Sequence, residues 1–192
     1  MIILASGSPR RRELLTQVGI SFSVEKSRAK EDEGNMAPAE LVKGNARRKA
    51  LDVASRCPGR AVVGADTVVA FGNEIFGKPK DTEDARRILS RLSGCMHKVI
   101  TGLAIVTPEG KVFEDVVMTS VEFADITERE IDAYVATGEP MDKAGAYAIQ
   151  GKAALFITGI HGSYSNVVGL PLHALYALAE EAGVGLYDHH GA

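Results

Sequence analysis

The sequence predicts an α/β fold, a β-sheet covered by helices on both faces. Three observations predict it. Apolar runs rich in β-branched residues, at 2–5 and 61–69, read as buried strands. Segments with helix-start signals and apolar faces alternate with such runs along the chain. Two longer strand-like segments, 96–106 and 111–123, flank Pro108-Glu109-Gly110 and read as one long hairpin.

The first strand runs straight into Ser6-Gly7-Ser8-Pro9-Arg10-Arg11-Arg12. Ser8 suits an N-cap, Pro9 the first helical position, and Leu14, Leu15 and Val18 supply the apolar face of a helix that Gly19 ends. Free amides at a helix start, hydroxyls and three guanidinium groups favour a phosphate; the plainer reading is a capped helix with a solvated basic face. Residues 21–24 read as a short alternating strand. An acidic loop follows, Glu31-Asp32-Glu33, then a helix over 38–55 bearing Lys43, Arg47, Arg48 and Lys49. The acidic loop reads either as solvated or as the source of a carboxylate that joins Asp66 on a divalent metal.

Asp66 lies inside the strand that begins at Ala61-Val62-Val63 and continues through Thr67-Val68-Val69. A carboxylate there costs several kcal/mol, of the order of 3, unless it is paired or binds a cation. It reads as a metal-binding or general-base carboxylate with a phosphate-binding lysine, Lys78, twelve residues on; the alternative is a strand Asp satisfied by backbone amides. Gly72 to Lys78 fits the spacing of a P-loop, but Pro79 follows the lysine. Proline has neither the hydroxyl for Mg²⁺ nor an amide for phosphate, so the segment reads instead as a strand, a Gly72-Asn73 turn and a short return strand.

Helices are predicted over 82–92, over 127–136 with Thr127 as cap, and over 172–182. His97 alternates with apolar residues and reads as structural. Residues 155–157 read as a strand, 162–166 as a loop, and 138–151 as a structured loop whose Gln150 offers an amide for base or ribose recognition.

At 192 residues the chain is one domain or two small lobes. Its 45% hydrophobic and 24% charged residues are ordinary for a globular protein, and a net charge of −3 excludes a surface that is basic throughout. Cys57 and Cys95 form no disulfide or metal pattern, and the start Met1-Ile2-Ile3-Leu4 is not that of a signal peptide, so a reducing cytoplasm is expected. No apolar run has the length of a membrane span. His189 and His190, near the end of the chain, read as solvated.

Six segments together resemble the Maf family, in order and with near-family spacing: SGSPRRRELL at 6–15, GADTVV at 64–69, GKP at 77–79, SGCMHKVITG at 93–102, GEPMDKAGAYAIQG at 138–151 and GSYSNVVGLP at 162–171. The resemblance implies one Maf-like domain over 1–192, an elongated mixed sheet flanked by helices, with two lobes and a cleft, similar to the inosine triphosphate pyrophosphatase-like (Maf/Ham1) fold. It implies a nucleoside triphosphate pyrophosphatase that yields a nucleoside monophosphate and pyrophosphate and needs Mg²⁺, with Mn²⁺ or Co²⁺ as substitutes. By the same resemblance Asp66 accepts a proton from water and joins Glu33 as a metal ligand, with Glu31 or Asp32 as alternatives for the second place. Ser8, Arg11, Lys49 and Lys78 hold phosphates. The helix reads Gly44-Asn45-Ala46 where family members commonly have leucine before that alanine. Arg10, Thr67 and Gln150 match the dTTP/UTP subgroup rather than the 7-methyl-GTP subgroup, which has Trp, Gln and Glu there. Gln150 donates and accepts, as a uracil or thymine edge requires, whereas a cationic 7-methylguanine calls for an aromatic face and a carboxylate. The expected partners are the nucleotide and a second copy of the chain in a homodimer, with no nucleic acid and no membrane. A second function class, a nucleotide-binding regulator of septum formation, stands beside the enzyme.

Overall fold

The structure, a computed structural model, describes residues 1–32 and 36–187. Glu33, His189 and His190 lie outside the described residues. Among the described residues seven strands form one mixed sheet: β1 (Ile2–Leu4), β2 (Phe22–Val24), β3 (Val62–Phe71), β4 (Glu74–Phe76), β5 (Met96–Val106), β6 (Val112–Phe123) and β7 (Ile157–His161). The helices are α1 (Pro9–Gln17), α2 (Pro38–Arg56), α3 (Thr82–Leu92), α4 (Glu128–Val135), α5 (Tyr164–Val168) and α6 (Leu172–Glu181). The strand order is β2-β1-β3-β5-β6-β7, with β4 paired on β3. β1 runs parallel to β2 and β3, whereas β4 and β7 run antiparallel to β3 and β6.

The chain divides into two compact units. The first takes residues 1–66, 101–117 and 169–192; the second takes 67–100 and 118–168.

In the first unit, α1 and α2 are the crossovers between the parallel strands β1, β2 and β3. Ile3, Ala5, Ala46, Ala50, Val53, Val62, Ala104 and Val106 form one buried cluster. Two glycines set how closely α2 approaches the sheet. A Cβ at Gly64 would stand 2.3 Å from the Ala46 carbonyl oxygen, and one at Gly102 would stand 2.4 Å from the Val42 carbonyl group. Small residues on both sides of this contact, Gly64 against Ala46 and Ala50, let helix backbone rest on strand backbone. Asp66, two residues beyond Gly64, points to the same face of β3.

In the second unit, the apolar faces of α3 and α4 share a core with Val69, Phe76, Val99, Val121, Phe123 and Tyr147. Asp81 caps α3 by accepting from the Asp84 amide at 2.8 Å. Thr127 and Glu130 form a capping box at α4. The turn of β3 into β4 has Gly72 at φ +58, and the register pairs Phe71 with Glu74. Residues 72–78 therefore form a hairpin turn and a return strand, not a phosphate loop.

Two expectations are corrected here. The strand expected at 155–157 starts only at Ile157; Lys152–Phe156 is a 3-10 segment in which Leu155 is 86% exposed. Within that segment Ala153 is buried and Phe156 packs against the core of the second unit, while Leu155 points outward, so the run turns as a 3-10 segment and composition alone misplaces the strand. The loop expected at 162–166 contains the start of α5, where the Ser163 hydroxyl accepts from the Asn166 amide at 3.3 Å. Both cysteines are free thiols. No helix among the described residues is long and apolar enough to cross a membrane.

Candidate active site

The buried face of α2 carries two polar residues one turn apart, Asn45 and Lys49, and the contact at Gly64 brings both onto Asp66. Lys49 Nζ donates to Asp66 Oδ1 at 2.7 Å, and Asn45 Nδ2 donates to Asp66 Oδ2 at 3.0 Å. Asp66 is 7% exposed, so the strand carboxylate is satisfied by side chains rather than by backbone amides. Lys49 Nζ also pairs with Glu31 Oε1 at 2.8 Å. The neighbouring Asp32 carboxylate pairs with Arg48 at 3.3 Å. One ammonium group thus sits between two carboxylates, one buried and one exposed.

Arg11 lies beneath the turn from β1 into α1 and is 9% exposed. Its Nε donates to the Gly169 carbonyl at 2.8 Å, and its Nη1 donates to the Ala65 carbonyl at 2.9 Å and to Ser6 Oγ at 3.1 Å. Burial lowers the pKa of this guanidinium, while Asp66 and Glu31 act to raise it. Arg11 therefore braces the strand beside Asp66 and carries positive charge under the start of α1. Ser8 occupies the N-cap position with extended backbone but makes no side-chain cap bond; its amide donates to Ser6 Oγ at 3.2 Å. The hydroxyl expected to close the helix start is not used for that purpose. Arg10 is half-buried and Arg12 exposed.

The remaining predicted residues belong to the second unit. Thr67, half-buried, follows Asp66 in β3. Lys78 is exposed and follows Gly77, whose carbonyl accepts from the Gly145 amide at 3.0 Å. That bond joins the GKP segment to the loop 138–151. Gly145 has φ +71 and packs on Val69, where a Cβ would meet Cγ2 at 2.5 Å, so no other residue fits this position. Gln150, exposed at the end of the same loop, is followed by Gly151. Glu139 fastens the loop by accepting from Tyr134 Oη at 3.0 Å and from the Lys152 amide at 3.0 Å.

His97 is confirmed as a structural residue. It is 1% exposed, its Nε2 lies 2.8 Å from Tyr147 Oη, and its ring meets those of Phe123 and Tyr147 edge-on. Burial lowers its pKa to about 4, so the ring is neutral near pH 7.

Among the described residues no three His, Cys, Asp or Glu side chains form a metal-binding group. Asp66 and Glu31 nonetheless aim carboxylate oxygens at the point held by Lys49 Nζ, and hard oxygen donors around one positive centre are what Mg²⁺ takes.

A profile of the family described as Maf-like protein matches residues 1–182. The chain belongs to the Maf family. A dTTP/UTP pyrophosphatase of Dictyoglomus turgidum is 51% identical over 189 residues, covering 96% of this chain and 97% of the relative. One of Geotalea uraniireducens is 53% identical over 175 residues, 89% of each chain. The solved Ham1 protein of Staphylococcus aureus covers 94% of this chain and 98% of its own at a TM-score of 0.50 and 16% identity, a likeness of fold alone.

Sequence reasoning named Asp66, Lys49, Arg11 and Ser8, and the structure places all four in the first unit. It missed the contacts of Asn45 and Ser6. Asn45 had a signal: a polar amide on the apolar face 41, 42, 45, 46, 50 and 53 of α2.

Proposed function

We propose that the chain hydrolyses dTTP and UTP to the nucleoside monophosphate and pyrophosphate, with Mg²⁺, in the cytoplasm. The observation that supports the reading most is the buried Asp66 carboxylate held by Lys49 and Asn45 on α2, together with relatives about half identical over nearly their whole length that bear this activity in their names.

Phosphoryl chemistry needs charge neutralisation and an oriented water more than covalent help. Asp66 is the general base. Its Oδ1 takes the proton as water oxygen bonds to phosphorus and the α–β anhydride bond breaks, and pyrophosphate leaves with the electron pair. Lys49 donates to that oxygen in the structure. The triphosphate, more highly charged than a carboxylate, draws the ammonium onto itself and frees Oδ1 for water. Ser8, at the open start of α1, offers its hydroxyl to phosphate. Arg10, Arg11 and Lys78 add positive charge, Arg11 from beneath the turn. Mg²⁺, when bound, would be held by Asp66 with Glu33, Glu31 or Asp32, and would neutralise phosphate charge and acidify water. Thr67 and Gln150 read the base, Gln150 by donating to O4 and accepting from N3–H of a pyrimidine.

The test is pyrophosphate release from dTTP, UTP and 7-methyl-GTP with and without Mg²⁺. Release from the first two that requires the cation supports the reading. Absence of release from all three, or a higher kcat/KM for 7-methyl-GTP, removes it.

A further inference from the structure

We propose that Asn45 is a positioning residue, one side-chain amide that fixes both the Asp66 carboxylate and the main chain at Asp32. Its four hydrogen-bonding places are all taken. Oδ1 accepts from the Asp32 amide at 2.8 Å and from Arg48 Nη2 at 2.8 Å. Nδ2 donates to the Asp32 carbonyl at 3.1 Å and to Asp66 Oδ2 at 3.0 Å. The partners also fix which end of the amide is which. Reversed, the oxygen would face a carboxylate and a carbonyl, and the NH2 would face an N–H and a guanidinium.

Packing alone does not call for this residue. Asn45 is 3% exposed on the face of α2 that rests on the sheet, where leucine would fill the space and need no partner. A buried amide costs free energy unless every group is bonded, and here every group is. What the amide adds is orientation. Lys49 holds Oδ1 of Asp66 and Asn45 holds Oδ2, so the two oxygens have different holders. When Lys49 leaves Oδ1, Asn45 still fixes the carboxylate plane and keeps Oδ1 aimed. Because the same amide binds residue 32 through both its N–H and its C=O, the backbone carrying Glu31 and Asp32 is set against Asp66 by one side chain.

The inference rests on the reading of Asp66 as general base, and the test separates the two. Asn45→Leu keeps the branched four-atom shape of the side chain and removes all four bonds. Asn45→Asp keeps the acceptor toward the Asp32 amide and Arg48 and removes both donations. Steady-state kinetics with dTTP and amide hydrogen exchange in the nucleotide-free protein are measured for both. For Asn45→Leu we expect kcat to fall about tenfold or more with KM changed less than about twofold, the pattern of a misaimed group. The Asp32 amide loses its protection while the α2 amides keep theirs. For Asn45→Asp that protection returns and kcat does not. Two results overturn the inference: Asn45→Leu with unchanged kcat and unchanged Asp32 protection, or loss of protection throughout α2, which makes Asn45 a packing element. If the unaltered chain releases no pyrophosphate, the proposed function fails, and the Asp32 exchange still decides whether Asn45 fixes the main chain at Asp32.

Discussion

Lys49 Nζ stands 2.7 Å from Asp66 Oδ1 with only 11% and 10% of the two side chains exposed. A pair this enclosed is costly to halve, because removing one partner leaves the other charge buried alone. Lys49→Met is expected to lower unfolding stability by about 3 kcal/mol, the lower end for such pairs since Glu31 keeps the region partly wet. Adding Asp66→Asn in the same chain should restore most of it. Urea unfolding of the single and double variants checks this; equal stability of Lys49→Met and the unaltered chain would show that the pair carries no structural weight.

Gly64 is expected to tolerate no side chain. Gly64→Ala forces its Cβ against the Ala46 carbonyl, so α2 must lift and carry Asn45 and Lys49 away from Asp66. The variant should lose about 2 kcal/mol or more, in the range of overpacked cores, and most of its turnover. Gly77→Ala, where no atom lies within 4 Å, is the control for a glycine replacement that meets no neighbour. Thermal unfolding of the two, compared with the unaltered chain, reads the difference.

Buried His97 gives the fold a pH dependence. The unfolded chain takes up its proton near pH 6.5 and the folded chain only near pH 4. Between those values the unfolded state binds more protons, so His97 lowers stability as pH falls through that window and has no effect above it. At pH 5 the loss is about 2 kcal/mol from linkage. His97→Gln should be less stable than the parent at pH 7 because it disrupts the ring cluster, but should lose less on going to pH 5. Urea midpoints at the two pH values test the sign.

Much of the fold is legible in the sequence because its signals are local. Asp81 and Thr127 begin helices with side chains that point at their own backbone, and Gly72-Asn73 forces a turn. The strand expected at 155–157 begins only at Ile157, because an apolar run does not say whether it pairs with a neighbouring strand or turns as a 3-10 segment. The candidate site was legible as a set of residue types. Its geometry was not, since the bonds from Asn45 and Lys49 to Asp66 depend on a helix touching a strand at Gly64. Arg11 shows the same limit: its place in a basic run suggests phosphate, but contact with the Ala65 and Gly169 carbonyls is a tertiary fact.

The central claim is that Asp66 takes a proton in the hydrolysis of a pyrimidine nucleoside triphosphate. The most direct measurement is steady-state pyrophosphate release from dTTP by the unaltered chain and by Asp66→Asn, with folding checked by circular dichroism. Asparagine fits the same space and keeps a bond to Asn45 or Lys49, so the fold should persist. The account predicts that kcat falls at least ~10²-fold, the lower end of general-base contributions. A folded Asp66→Asn variant that turns over dTTP at the rate of the unaltered chain would contradict it.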